Sequence, residues 1–168
     1  MKTIIEPFRI KSVEPLLFTT KEQRKELLQK AFYHFESTIQ QLTGMPLVIP
    51  THQGRASEKI LFSIVGGKGK YIVSNTLFDT TRANIEYSGA EGVDFLCEEG
   101  KHPSIPAPFK GNMDVEAFEK FIQEKDAANI PLCMITVTNN SGGGQPVSMA
   151  NIKAVKAVCS TYSIPLFI

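Results

Sequence analysis

A chain of 168 residues with 42% hydrophobic and 21% charged content is long enough for one domain with a substantial core, and a formal net charge of +1 with no long block of like charge argues against nucleic acid or an anionic membrane as the main partner. Cys97, Cys133 and Cys159 are odd in number and far apart, so buried reduced thiols are expected rather than a disulfide framework or a CxxC centre. No signal-peptide core follows Lys2 and no apolar run reaches bilayer length, which makes a cytoplasmic protein with a small ligand the expectation.

Residues 1–19 carry Pro7 and Pro15 without a clear period and read as an N-terminal arm; residues 20–168 read as one α/β domain. From Lys21 strong helix formers follow Thr20, which with Gln23 has the pattern of a capping box. Phe32, Phe35, Ile39 and Leu42 keep helical spacing up to Gly44, so a single helix is predicted from Lys21 to about Thr43. The apolar run Pro46–Pro50 then reads as extended. It meets the polar turn Thr51-His52-Gln53-Gly54-Arg55, after which an amphipathic helix with Ile60, Leu61, Ile64 and Val65 on one face is predicted.

That turn places free backbone N–H groups at a helix N-terminus, where an anion binds. Gly54 lets a ligand come close and Arg55 adds a forked cation suited to phosphate or carboxylate. The plainer alternative makes Thr51 an N-cap and Arg55 a solvated first-turn residue.

Further on, Tyr71–Ser74 reads as a buried strand, Thr80 to about Tyr87 as a helix, and Gly92–Leu96 as a second strand. Proline and glycine make Glu98–Asn112 a loop, Asp114 caps a helix bearing Val115, Phe118 and Ile122, and Ile130–Val137 is the clearest strand. A Gly-rich loop through Asn140 leads to a helix starting at Ser148 or Asn151 and ending near Tyr162, and Ile164–Ile168 closes the chain as a strand. Short apolar strands alternating with amphipathic helices specify an α/β fold with a mostly parallel sheet. Ligands collect beyond the carboxyl ends of such strands. The loops after the extended runs, Thr51–Arg55, Asn75–Thr81 and Thr138–Gln145, therefore converge on one crevice if their strands are neighbours.

Phe78-Asp79 at the mouth of the sheet offers a ring to stack on a planar ligand and a carboxylate for an N–H or a proton, or else a core Phe with a capping Asp. Asn140 offers an amide to a ligand oxygen, or serves as a turn residue. The glycines 142–144 lack the Lys-Ser/Thr ending of a P-loop. His52 reads as a spacer or an acid-base group, and His34 and His102 have no neighbours at metal-ligand spacing, so no metal site is expected.

Taken together, Glu6-Pro7-Phe8-Arg9-Ile10-Lys11, Pro50-Thr51-His52-Gln53-Gly54-Arg55, Phe78-Asp79-Thr80-Thr81 and Gly143-Gly144-Gln145-Pro146-Val147-Ser148 resemble the pyridoxal-phosphate-dependent β-eliminating lyases, the tryptophanases and tyrosine phenol-lyases. The resemblance implies the large domain of the aspartate-aminotransferase type (PLP fold type I), incomplete at its C-terminal end. It also implies pyridoxal 5'-phosphate as cofactor, potassium as supporting cation, a homotetramer, and an amino-acid substrate cleaved by β-elimination. By the same resemblance, Gln53, Gly54 and Arg55 hold the cofactor phosphate, Phe78 stacks on its ring, and Asn140 lies near its phenolic oxygen and the substrate carboxylate. Asp79 falls where the two activities differ, and an aspartate there implies L-tryptophan, cleaved to indole, pyruvate and ammonia, with tyrosine phenol-lyase as the alternative.

The chain departs from the family in two places. Several dozen family residues that normally stand between Ala31 and Phe32 have no counterpart, among them a catalytic tyrosine and a cation-binding acid. Beyond Ile168 family members continue into the aspartate at the pyridine nitrogen and the lysine that bonds the cofactor. The chain alone is therefore expected to be inactive, and a non-catalytic fragment binding a phosphate ligand or a partner subunit is the competing reading. An aminotransferase or aldolase of the same fold is a weaker one. An exposed sheet edge and poor solubility are also expected.

Overall fold

A computed structural model of the protein describes residues 20–138 and 140–168; the predicted arm, residues 1–19, and Asn139 lie outside them. The chain falls into two compact units, residues 1–50 and 51–168.

In the first unit, α1 (Lys21–Thr43) is one continuous helix. The capping box forms as predicted: the Thr20 hydroxyl accepts the Gln23 N–H at 3.2 Å, and Gln23 Oε1 accepts the Thr20 N–H at 2.9 Å. Gly44 ends the helix at φ 71°, a left-handed conformation natural to glycine. None of the helix residues is buried, and Phe32, Phe35 and Leu42 of the predicted apolar face are exposed. The run Pro46–Pro50 forms no strand; Leu47 and Ile49 are 79% and 83% exposed, which no parallel sheet interior permits.

The second unit opens with α2 (Gly54–Val65). Strand β1 (Tyr71–Ser74), helix α3 (Asp79–Tyr87), strand β2 (Glu91–Asp94) and helix α4 (Val115–Lys125) follow. Strand β3 (Leu132–Met134), helix α5 (Met149–Thr161) and strand β4 (Leu166–Phe167) complete it. The four strands pair in parallel in the order β2-β1-β3-β4. Asp114 caps α4 through its side chain as predicted, and Ser148 caps α5 in the same way, which decides between the two starts, Ser148 and Asn151, left open by the sequence.

Alternation along the strands feeds two cores, one on each sheet face. Ile72 of β1 and Leu132 of β3 pack with Phe62, Leu77 and Ile85 under α2 and α3. Val73 and Cys133, the next residue on each strand, pack with Phe118, Ile122, Val155, Cys159 and Ile164 under α4 and α5. A sheet covered on both faces needs apolar residues at successive positions, which is why its strands read as short solid apolar runs.

Several boundaries differ from expectation. The predicted strand Ile130–Val137 pairs only over Leu132–Met134, and the predicted Ile164–Ile168 only over Leu166–Phe167. Hydrophobicity extends past the paired residues because the flanking Ile130, Ile135 and Ile164 are buried as loop residues. Strand β2 ends at Asp94, before Phe95 and Leu96, and Leu96 instead bridges antiparallel to Met113. The loop from Glu98 contains a 3-10 turn, Glu98–Lys101. On α2 the packed stripe is the buried Phe62 with the half-buried Leu61 and Val65, while Ile60 and Ile64 are exposed. Those two isoleucines follow helical spacing too, but their stripe is rotated by one residue, about 100°, from the packed one.

At the carboxyl end of β1 stands Asn75, 1% exposed. Its Nδ2 donates to Gly111 O at 2.8 Å and Thr136 O at 3.1 Å, and its Oδ1 accepts the Thr136 N–H at 2.9 Å and the Ser74 hydroxyl at 3.1 Å. Replacing Asn75 by Ala leaves these buried partners unsatisfied, so the Asn75→Ala chain is expected to lose on the order of 3 kcal/mol. A lower urea midpoint at unchanged slope is the expected reading, and an unchanged midpoint contradicts it.

Candidate functional site

The sheet order sets where a ligand can sit. From β1 the chain moves to β2 on one side and afterwards returns to β3 on the other, so β1 and β3 flank a topological switch point. Loops leaving the carboxyl ends of two such strands diverge and leave a crevice between them. The loop after β1 carries Phe78 and Asp79, and the loop after β3 carries Asn140. Asn75 ties their roots together through Thr136. Under that junction Gly111 lies so close to Gln145 that a Cβ would stand 2.5 Å from the Gln145 carbonyl oxygen, and its N–H donates to Pro146 O at 3.0 Å. Only glycine admits that approach.

Phe78 is the N-cap residue of α3, half-buried, and Asp79 opens the helix exposed, its carboxylate accepting the Thr80 N–H. Asp79 is thus in the first turn and not the cap. The loop before Phe78 is latched from β2: Asp94 Oδ1 accepts the Leu77 N–H at 2.8 Å. The other Asp94 oxygen holds Arg82 Nη2 at 2.6 Å, and Arg82 Nη1 donates to Gly92 O at 2.8 Å. Asn140 is exposed in a 3-10 turn, Asn140–Gly142, and accepts the Gly143 N–H at 2.9 Å.

The turn Thr51–Arg55 follows no strand, so it joins the site by a different route. Gln53 is the N-cap of α2, with extended backbone (φ −167°, ψ 160°) and no side-chain capping bond. Thr51 does not cap the helix; its hydroxyl donates to Gln53 O at 3.1 Å and shares a 2.6 Å bond with Ser57. The geometry therefore removes the N-cap alternative for Thr51. First-turn N–H groups of Gly54 and Arg55 point away from the helix body. A Cβ at Gly54 would meet nothing within 4 Å, so internal packing does not demand glycine there. Arg55 is exposed beside it. The turn is connected to the Phe78 helix by Glu58, which accepts the Thr81 hydroxyl at 2.5 Å and Asn84 Nδ2 at 3.2 Å.

Chemically, the unit presents an uncapped helix N-terminus with an adjacent guanidinium for an anion, a half-buried ring, and an amide and a carboxylate at the strand ends. Sequence reading singled out Gln53, Gly54, Arg55, Phe78, Asp79 and Asn140 but passed over Asn75, Glu58, Arg82 and Asp94, which hold those segments. One signal was available: Asn75 and Asp94 are polar residues at or just past the carboxyl ends of apolar strands. Lys110, 7% exposed, was missed as well; its ammonium donates to the carbonyls of His102, Pro103 and Ile105 at 2.7, 3.3 and 3.0 Å and shapes the loop beside the junction.

All three cysteines are free thiols. A hydrogen bond shared with Cys159, together with burial, pushes the Cys133 thiol well above its ordinary value, and burial pushes Cys97 up, so neither is poised as a thiolate nucleophile at neutral pH. Among the described residues no group of three or more His, Cys, Asp and Glu side chains is arranged to hold a metal ion, and no helix is long and apolar enough to cross a membrane.

The chain is 45% identical to a tryptophanase of Rhodobacter capsulatus over 213 aligned positions, covering 100% of this chain and 47% of the relative. It is 35% identical to a tyrosine phenol-lyase of Pasteurella multocida, covering 95% and 44%. The chain thus spans less than half the length of the curated relatives it matches. Because 213 aligned positions draw on a chain of 168 residues, several dozen positions of the Rhodobacter relative have no counterpart.

Among solved structures, a SepCysS–SepCysE N-terminal domain complex matches with a TM-score of 0.62 at 19% identity, over 80% of this chain and 34% of that one. A pyridoxal-phosphate-bound C–S lyase of Staphylococcus hominis matches with a TM-score of 0.58 at 14% identity, over 80% and 33%. At such identities the likeness concerns the fold, which is that of the fold type I enzymes expected from the sequence. The model of the family described as "Beta-eliminating lyase" matches residues 28–168, which include every candidate residue from Gln53 to Asn140, and the chain belongs to that family.

Proposed function

We propose that the chain is an incomplete form of a pyridoxal-phosphate-dependent carbon–carbon lyase that cleaves L-tryptophan by β-elimination to indole, pyruvate and ammonia. The observation that supports this reading is that Phe78 and Asn140 stand on the two loops that follow β1 and β3, the neighbouring strands of the switch point. The residues present fit the cofactor. An uncapped helix start with open space at Gly54 suits a phosphate, and the half-buried Phe78 ring suits a pyridine.

In this reading the N–H groups at Gln53 and Gly54 bind the phosphate, Arg55 adds its charge, and Phe78 stacks on the ring to fix its plane. Asn140 donates its amide to the ring oxygen and the substrate carboxylate. Asp79, exposed at the start of α3, accepts the indole N–H of the substrate and favours tryptophan over tyrosine. Pyridoxal phosphate, when bound, supplies the electron sink that makes the Cα proton of an amino acid removable. Residues 20–168 are then part of a large domain, in a cytoplasmic homotetramer supported by potassium whose ligands lie in segments without counterpart here.

A second reading is favoured by those missing positions: a non-catalytic form that keeps only phosphate or subunit binding. Both readings place ligand binding here and the bond-breaking groups elsewhere. The 168-residue chain incubated with pyridoxal phosphate and L-tryptophan is therefore expected to release no indole above a protein-free control. Colorimetric indole detection checks this, and indole production by the chain alone contradicts it.

The two lyase activities are separated at Asp79. In a chain completed with the remaining segments of the Rhodobacter relative, Asp79→Thr is expected to lower kcat/KM for tryptophan relative to tyrosine by about tenfold, the worth of one substrate hydrogen bond of roughly 1.4 kcal/mol. Parallel assays of indole and phenol release measure the ratio; an unchanged ratio removes Asp79 from substrate choice.

A further inference from the structure

Two segments assigned to opposite ends of one ligand, the Gln53–Arg55 turn and the Phe78–Asp79 turn, stand at the starts of different helices. Leu61, Phe62 and Val65 of α2 share one apolar cluster with Ile85 of α3 and with Leu77 just before that helix. Such packing is strong but non-directional, and it tolerates small slides of one helix along another. The contact made by Glu58 is of a different kind. Its Oε1 accepts the Thr81 hydroxyl at 2.5 Å and its Oε2 accepts Asn84 Nδ2 at 3.2 Å. Thr81 is buried and Glu58 and Asn84 are half-buried, so the bonds are partly withdrawn from water.

Thr81 and Asn84 are one helical turn apart on α3, and a single carboxylate spans both. Two bonds to successive rungs of one face fix the slide as well as the separation of the helices. Glu58 is only four residues beyond Gly54, the first residue of α2, and Thr81 only two beyond Asp79, the first of α3. The grip therefore lies beside the two turns and not at the far ends of the helices, where the same error in angle would displace the turns most.

We propose that Glu58 is a positioning residue that sets the distance between the anion-binding turn and the Phe78 ring, so that a ligand bearing both a phosphate and an aromatic ring engages the two together. This rests on the reading of the site given above. A ligand with a phosphate alone needs only the first turn and is indifferent to the spacing. Glu58→Gln keeps one oxygen for the Thr81 hydroxyl, and its amide donates to Asn84 once the Asn84 amide turns its oxygen inward, so it restores the grip without the charge.

Calorimetric titration of the 168-residue chain with inorganic phosphate and with pyridoxamine 5'-phosphate, which forms no imine with surface lysines, tests this. Glu58→Ala is expected to weaken pyridoxamine 5'-phosphate by about tenfold, to leave phosphate within about twofold, and to be rescued by Glu58→Gln to within about threefold of wild type. A Glu58→Ala chain that binds both probes as wild type does, or loses both equally, overturns the positioning role while leaving the site intact. A wild-type chain that binds pyridoxamine 5'-phosphate no better than phosphate overturns the reading of the site, and the positioning role with it. A Glu58→Ala, Thr81→Val double-mutant cycle in urea guards against misfolding as the cause: additive effects mean that the two side chains are not coupled and also overturn the proposal.

Discussion

The amide of Asn75 is the constraint on which the rest of this unit depends. It is buried at the carboxyl end of β1, where the ladder of the sheet stops and backbone groups are left without strand partners. Its one amide serves Gly111, 36 residues away, and Thr136, 61 residues away. A buried amide with its polar atoms satisfied adds specificity as well as stability, because any shift of the three segments breaks several bonds at once. Apolar packing alone would let the loops after β1 and β3 drift apart. Bound through Asn75, they have one relative placement, and with it the Phe78 and Asn140 loops have theirs.

Around that point the fold spends polar groups to hold backbone rather than to meet solvent. Asn112 Oδ1 accepts the Ser148 N–H, and Asn151 exchanges two bonds with the backbone of Met113, so the 111–113 segment is stitched to the start of α5 as well. Asp94 fixes the Leu77 N–H while it carries Arg82. Gly92 leaves room for this arrangement: a Cβ there would stand 2.6 Å from Leu77 Cδ1 and 3.3 Å from Arg82 Nη1. The Arg82–Asp94 pair is only about a third exposed on each side, and its worth lies less in charge than in aiming the Phe78 loop.

Local chemistry was legible in the sequence wherever a rule acts over a few residues. Thr20 with Gln23, Gly44, Asp114 and Ser148 announce helix ends because capping is decided within one turn, and all four do so in the structure. The parallel α/β architecture was legible because a doubly covered sheet demands solid apolar strands. What could not be read is set by partners distant in the chain. Ile130 and Ile135 look like strand residues, but the residue pairs with β1 and β4 extend only along Leu132–Met134, so they are buried outside the strand, Ile135 giving its N–H to Phe167 O at 2.9 Å. Pro46–Pro50 has the composition of a strand and no ladder to join. Ile60 and Ile64 match a helical stripe as well as Leu61 and Val65 do, and only the position of Phe62 over the sheet decides between them. Of the proposed site, Gln53, Gly54, Arg55, Phe78, Asp79 and Asn140 were singled out by resemblance, whereas Asn75, Glu58 and Asp94 were not, since their roles exist only in the folded contacts.

Those contacts also bear on what this unit can do by itself. Moving a proton at a reacting carbon requires an acid or base with an oxygen or nitrogen free to approach it. The carboxylates nearest the two helix starts are already engaged: Glu58 by Thr81 and Asn84, Asp94 by Leu77 and Arg82, and Asp79 in part by the Thr80 N–H. Lys110, the buried amine beside the junction, has its protons directed at three carbonyls. Beside them stand helix N–H groups, an amide, a ring and a guanidinium, together with the exposed His52 and Asp79. The N–H groups, amide, ring and guanidinium orient and hold a ligand without exchanging protons with it. In the proposed enzyme the part of this unit is then chiefly to hold and orient the ligand.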